Sequence, residues 1–254
     1  MLLAIDVGNT NIVLGLFAGT KLLHHWRLET KKERTADELG IFLKELFAHA
    51  DLSTTELKGI IISNVVPPMQ HALETMSKRY FHKTPLNVGP KLKIKIKNRY
   101  QHPSEVGADR IVNAVAAYEK YRKALIVVDF GTATTFDYIS PKGEYRGGAI
   151  APGIVISNEA LATHAAKLPR VEIARPTKVV GTRTTHSIQS GIFYGYVGLV
   201  DGLVNRIKKE VKTKPKVIAT GGLAQLIAKD STTIEKLEPF LTLEGLRLIW
   251  EWNR

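Results

Sequence analysis

Short runs of apolar, largely β-branched residues predict strands over 2–7, 11–17, 22–28 and 59–63, over 124–130, 133–139 and 144–150, and over 216–220. Over 36–49, 69–80, 105–121, 185–211 and 241–252 the apolar positions recur at helical spacing, which predicts helices. Three strands in quick succession, then helix alternating with strand, begin at residue 1 and begin again near residue 124. That order predicts an α/β chain of two similar halves, 1–122 and 123–254, duplicated in fold with little identity in sequence. The helix over 185–211 carries Gly191, Gly195, Gly198 and Gly202 on one face, where missing side chains let another backbone approach. The approaching backbone belongs either to the same chain or to a second subunit. Asp201 and the basic turn that follows argue against a membrane span.

Two of the predicted strands break their apolar pattern at the same place. In MLLAIDVGNTNIVLGLF, Asp6 precedes Gly8-Asn9-Thr10; in ALIVVDFGTATTFDYI, Asp129 precedes Gly131 and Thr132. A carboxylate at the end of a buried strand is costly unless a cation or hydrogen bonds compensate it. Glycine lets the backbone turn and approach a ligand. Asn9, Thr10, Asn11, Thr132, Thr134 and Thr135 supply neutral donors, and N–H groups of such turns cradle anionic oxygens. Mg²⁺ takes one or two carboxylates and fills its shell with water and substrate phosphates. The pattern therefore points to Mg²⁺ near Asp6, with phosphate beside it. A third stretch, VIATGGLA from Val217 to Ala224, reads as a strand, a Thr-Gly-Gly turn and a helix start, fit to admit a flat adenosine unit against bare backbone. No G-x-x-x-x-G-K-[ST] occurs, which excludes a P-loop kinase.

Composition adds limits. The 254 residues are 44% apolar and 24% charged, as in a soluble globular protein. No apolar run reaches the ~18 residues of a membrane span, and Asp6 falls where a secretory leader would be apolar. The absence of cysteine excludes disulfides, thiolate nucleophiles and cysteine-based zinc sites, and a cytoplasmic location is expected. The net charge of +12 invites a nucleic-acid partner. Its clusters, however, are short and mixed into strand or helix periodicity: Lys91 to Lys97, Lys120 to Lys123, and Arg206 with Lys208 and Lys209. Solvated faces, and a field that also draws nucleotides, account for them; no specific nucleic-acid partner is expected.

In NRYQHPSEVGADRIVNAVAAY, Pro103 with Ser104-Glu105 signals helix entry, and Ile111, Val112, Val115 and Tyr118 form the buried stripe behind it. Asp109 and Arg110 fall early in that helix, after Gly107. One reading makes Asp109 an N-terminal acid favoured by the helix dipole and leaves Arg110 solvated. The arginine neighbour would in addition keep the Asp109 carboxylate ionised.

The two phosphate-type turns and the later adenosine-type turn resemble the superfamily of sugar kinases, actin and the heat-shock chaperone ATPases. That resemblance implies two RNase-H-like halves with mixed β-sheets flanked by helices. Within it, DVGNTN, RTADELG, SNVVPP, NRYQHPSEVGADR, VVDFGTATTFD, GGAIAPG, LPRV, GTRTTHSIQSGIFYG and ATGGLA, in this order, are similar to type III pantothenate kinase over essentially the whole chain. Asn64 departs from the second serine that many members place before VVPP, a difference expected to touch turn detail. The resemblance implies ATP-dependent phosphorylation of pantothenate, the first committed step of coenzyme A synthesis. It implies Asp109 as the catalytic base, and ATP held by Asp6, Val7, Gly8, Asn9, Thr10, Asn11, Ile12, Val13 and Thr132. It implies pantothenate contacts from Tyr100, Gly107, Ala108, Asp109, Arg110 and Thr184, a K⁺ or NH₄⁺ ion at Asp129, and a homodimer. A different ATP-using transferase or phosphatase on this fold would lack the Asp109 loop and Tyr100; a non-catalytic regulator would lack a positioned base.

Overall fold

The computed structural model describes residues 1–254. Its elements are β1 (Leu2–Val7), β2 (Asn11–Ala18), β3 (Lys21–Glu29), α1 (Ala36–His49), β4 (Gly59–Asn64), α2 (Gln70–Phe81), β5 (Leu86–Asn87), β6 (Lys97–Asn98), α3 (Ala108–Tyr121), β7 (Leu125–Phe130), β8 (Ala133–Ile139), β9 (Glu144–Pro152), α4 (Ile154–His164), α5 (Thr184–Val211), β10 (Lys216–Gly221), α6 (Ala224–Ala228), β11 (Lys236–Leu237) and α7 (Leu241–Asn253). The chain forms two units. One holds Met1–Lys95, His102–Ala116 and Thr242–Arg254; the other holds Ile96–Gln101 and Ala117–Leu241. A single cut near residue 122 therefore does not describe their membership.

In the first unit the sheet order is β3-β2-β1-β4-β5. β1 lies centrally, antiparallel to β2 and parallel to β4. Its run Leu2–Ile5 is buried throughout, as a strand covered on both faces requires. β3, at the edge, alternates exposed and half-buried positions. α1 starts in a reciprocal cap: the Glu38 N–H donates to Thr35 Oγ1 at 3.2 Å, and the Thr35 N–H donates to Glu38 Oε2 at 2.7 Å. Leu39, Leu43 and Phe47, at four-residue intervals, then face the core with Leu3, Ile5 and Ile62. α7 joins this unit although it comes last in the chain. A Cβ at Gly245 would lie 2.3 Å from the Val112 carbonyl oxygen, so only glycine permits that approach to α3. The Thr242 hydroxyl adds a 2.7 Å bond to Asn113 Oδ1.

The second unit repeats the plan. Its order is β11-β10-β7-β8-β9-β6, with β7 antiparallel to β8 and parallel to β10. β9-β8-β7-β10-β11 thus matches β3-β2-β1-β4-β5 in order and direction, and β6 is added at the β9 edge. The expected fold of two similar mixed-sheet halves flanked by helices is the one found. α5 covers the second sheet through Ile192, Phe193, Tyr196, Val200 and Val204. Its Asp201 is wrapped by Ser231, Thr232 and Thr233, whose hydroxyls donate at 2.6–2.8 Å and whose segment adds two backbone N–H bonds. Burial opposes charge on Asp201, but the hydrogen bonds from Ser231, Thr232 and Thr233 together outweigh it, and the pKa is lowered to about 2. A depressed carboxylate contributes stability above its unfolded pKa and loses it as pH falls through the folded value. Between pH 4 and 2, wild type should therefore lose stability that Asp201→Asn never had. Denaturant melts of both proteins across that range check this; parallel curves would refute it.

Three two-residue strands and α4 were not predicted, whereas the helix start expected after the Thr-Gly-Gly turn is α6. α4 escaped because its apolar residues follow no single face: Ile154 is buried, whereas Val155, Ile156 and Leu161 are exposed. α3 starts at Ala108 rather than 105, because Pro103–Glu105 forms a separate 3₁₀ turn. On α5, a Cβ at Gly191, Gly195 or Gly198 would meet nothing within 4 Å, and one at Gly202 would meet only the tip of Arg206. The glycine face does not receive another backbone of the same chain.

Candidate active site

In the first unit Asp6 is the penultimate residue of β1, with Val13 and Ser63 as its register partners. The turn after it closes with the Gly8 N–H donating to the Asn11 carbonyl at 3.0 Å. Thr30 pins it: its hydroxyl donates to the Gly8 carbonyl at 2.7 Å and its N–H to that of Thr10 at 3.0 Å. Asn9 and Thr10 are exposed at its tip, with Asn11 half-buried as β2 begins. Ser63, which the sequence reading passed over, is fully buried, and its hydroxyl has no hydrogen-bond partner.

Next to this turn, the Val65 N–H donates to the Val7 carbonyl at 3.0 Å, and the Val65 side chain lies 3.7 Å from where a Gly107 Cβ would be. Val65 thereby bridges the end of β1 to the Asp109 loop. A Cβ at Gly107 would also stand 2.5 Å from Asp109 Oδ1. That oxygen accepts the Arg110 N–H at 2.8 Å. Arg110 is only 8% exposed, which removes the reading that left it solvated. Asn64 serves turn detail, as expected: it accepts the Val66 N–H at 2.8 Å and donates to Gln70 at 2.9 Å, and Gln70 in turn donates to Glu74.

In the second unit Asp129 holds the same place on β7 that Asp6 holds on β1, but its register partners are Thr135 and Thr220. The turn is one residue shorter, closing from the Gly131 N–H to the Ala133 carbonyl at 3.1 Å. The Thr132 carbonyl accepts the Gly153 N–H at 3.1 Å, joining this turn to the end of GGAIAPG. Neither Gly8 nor Gly131 has a positive φ; Gly221 does, at +94°. A Cβ there would lie 2.6 Å from Asp129 Oδ1 and 2.7 Å from the Phe130 backbone, so the Thr-Gly-Gly turn packs its bare backbone on Asp129. Gly221→Ala should cost about 1–2 kcal/mol from the left-handed conformation alone, and more from the contact. A lower melting temperature checks this. Tyr100 is half-buried, its ring 6.4 Å from that of Tyr145. Thr184 is exposed at the start of the 28-residue α5, where Arg183 gives no side-chain cap.

The structure thus brings Asp6–Val13 together with Gly107–Arg110 in the first unit, and Asp129 together with the Gly221 turn in the second. Paired sheets of one plan, each with a carboxylate and a tight turn at the end of its central strand, define the actin and sugar-kinase class of ATP-using folds. Among solved structures, a Baf family transcriptional activator from Campylobacter jejuni matches with a TM-score of 0.61 at 20% identity, over 98% of this chain and 97% of the other. A 2-dehydro-3-deoxygalactonokinase protein from Sinorhizobium meliloti matches with a TM-score of 0.58 at 13% identity, over 99% and 96%. These likenesses concern the fold. The family model described as Type III pantothenate kinase matches residues 2–206. Proteins named type III pantothenate kinase from Geobacter sulfurreducens and Halalkalibacterium halodurans are 60% and 57% identical, each over the full length of both chains. The chain belongs to the type III pantothenate kinase family.

Proposed function

We propose that the chain transfers the γ-phosphoryl group of ATP to the 4′-hydroxyl of pantothenate, with Asp109 accepting the hydroxyl proton. The observation that carries the assignment of the base is the placement of Asp109: first turn of α3, beside a buried Arg110 and joined through Val65 to the end of β1. Phosphoryl transfer needs charge neutralisation and alignment more than covalent help. The turn Asp6–Val13 and Thr132 would hold the ATP phosphates, and the Thr220-Gly221-Gly222 turn the adenosine. Tyr100, Gly107–Arg110 and Thr184 would hold pantothenate. The uncapped helix start at Thr184 suits its carboxylate, because free N–H groups and the helix dipole favour an anion there.

Mg²⁺ fits at Asp6, where the orphaned Ser63 hydroxyl sits in register beside the carboxylate. When bound with ATP it neutralises phosphate charge. K⁺ or NH₄⁺ fits better at Asp129, flanked by a threonine on each neighbouring strand: one carboxylate among neutral oxygens suits a monovalent ion. Release of ADP from ATP, Mg²⁺ and K⁺ with pantothenate, against none without an acceptor, tests the assignment. Pantothenate-independent release would point to another ATP-using activity on this fold.

The open glycine face of α5 supports a homodimer, as do Val179 and Val180, 64% and 79% exposed at the approach to that helix. Gly195→Arg should convert a dimer to monomers in light scattering; a wild-type monomer would refute the subunit contact. No helix is long and apolar enough to cross a membrane. We read the protein as a cytoplasmic enzyme without a specific nucleic-acid partner.

A further inference from the structure

Asp137 and Tyr145 lie in the second unit, and both are completely buried. The Tyr145 hydroxyl donates to Asp137 Oδ1 at 2.7 Å across the β8–β9 pair, and Thr135 Oγ1 donates to Asp137 Oδ2 at 3.2 Å. A carboxylate and a phenol in a dry sheet give little net stability over a well-packed apolar pair, but they fix orientation strictly. What they orient is visible at the sheet edge. The ring of Tyr100 rests against that of Tyr145 at 50°. Gly147 leaves room for it, since a Cβ there would come within 3.2 Å of the Tyr100 ring. The segment bearing Tyr100 is also tied locally, with the Tyr100 N–H donating to Asn98 Oδ1 at 3.0 Å. β6 contributes two residues to the sheet, the Arg99 N–H donates to the Tyr145 carbonyl at 2.9 Å, and the Arg99 side chain pairs with the largely buried Glu144.

We infer that Asp137 is a positioning residue for pantothenate capture. Its carboxylate clamps the Tyr145 hydroxyl, and the clamped Tyr145 ring sets the Tyr100 ring. The inference rests on Tyr100 being a pantothenate contact, as proposed above. At its other end the chain of groups reaches Thr135, the register partner of Asp129, so the clamp and the candidate cation carboxylate share one sheet face.

Steady-state kinetics on Tyr145→Phe, Asp137→Asn, Tyr100→Ala and the double variant Tyr145→Phe/Tyr100→Ala test it. Tyr145→Phe removes only the clamped oxygen and should raise the pantothenate KM about tenfold, the scale of a small misplacement, with kcat and the ATP KM close to wild type. Asp137→Asn should follow the same pattern if it folds. In the Tyr100→Ala background, Tyr145→Phe should have no further effect on the pantothenate KM, because coupled residues are not additive. A pantothenate KM for Tyr145→Phe within twofold of wild type would overturn the inference, as would additive effects in the double variant. A wild-type KM in Tyr100→Ala would instead remove the Tyr100 contact on which the inference stands.

Discussion

Asp109→Asn is expected to lower turnover about 10²- to 10⁴-fold, the usual worth of a positioned general base. The substitution is chosen because it disturbs little else. The amide oxygen still accepts the Arg110 N–H, now held at 2.8 Å, and the side chain keeps its size in the space left by Gly107. Proton acceptance is lost, together with the negative charge beside Arg110. Nucleotide binding should survive, since the candidate phosphate turn is built from Asp6–Val13 and pinned independently by Thr30. Stopped-time product measurement, with ATP binding followed by calorimetry, separates the two. Wild-type turnover would exclude Asp109 as the base, whereas loss of ATP binding would mean that Asp109 shapes the turn instead.

A loss of activity is also expected at Asp129. Replacing K⁺ by Na⁺ should slow the wild-type enzyme, and Asp129→Ala should lose at least about tenfold at any K⁺ concentration, the scale on which damage around a metal site is felt. The argument rests on the difference between two equivalent places in one plan. Asp6 has Val13 and Ser63 across the sheet, and Asp129 has Thr135 and Thr220. Equal rates in Na⁺ and K⁺ would count against a cation at Asp129 and leave Mg²⁺ near Asp6 untouched. Because Gly221 packs on Asp129, circular dichroism of Asp129→Ala is needed to separate lost cation binding from a collapsed turn.

Much of this was legible in sequence because burial on both faces writes a central strand as an unbroken apolar run. β1 and β7 therefore stood out, and Asp6 and Asp129 stood out within them as misplaced charges. Asp137 did not, since a polar residue alternating along β8 reads as facing solvent, yet it is wholly buried. Ser63 was passed over for another reason: it closes the apolar run of β4 beside Asn64, where a small hydroxyl reads as the start of a turn. α4 carries apolar side chains outward and so shows no helical stripe, and two-residue strands are too short to show any period. The return of α7 to the first unit depends on a contact between Gly245 and Val112, which no local pattern records.

That return has a consequence for the order of biosynthesis. The first unit begins to leave the ribosome before the second, yet it lacks a helix until Thr242–Arg254 has been made. The second unit has all its parts once Leu241 has emerged. Domains tend to fold as units while the chain is being made. Here the half that starts first must wait, with the face of Val112 uncovered, until residues 242–254 have followed the whole of the second unit.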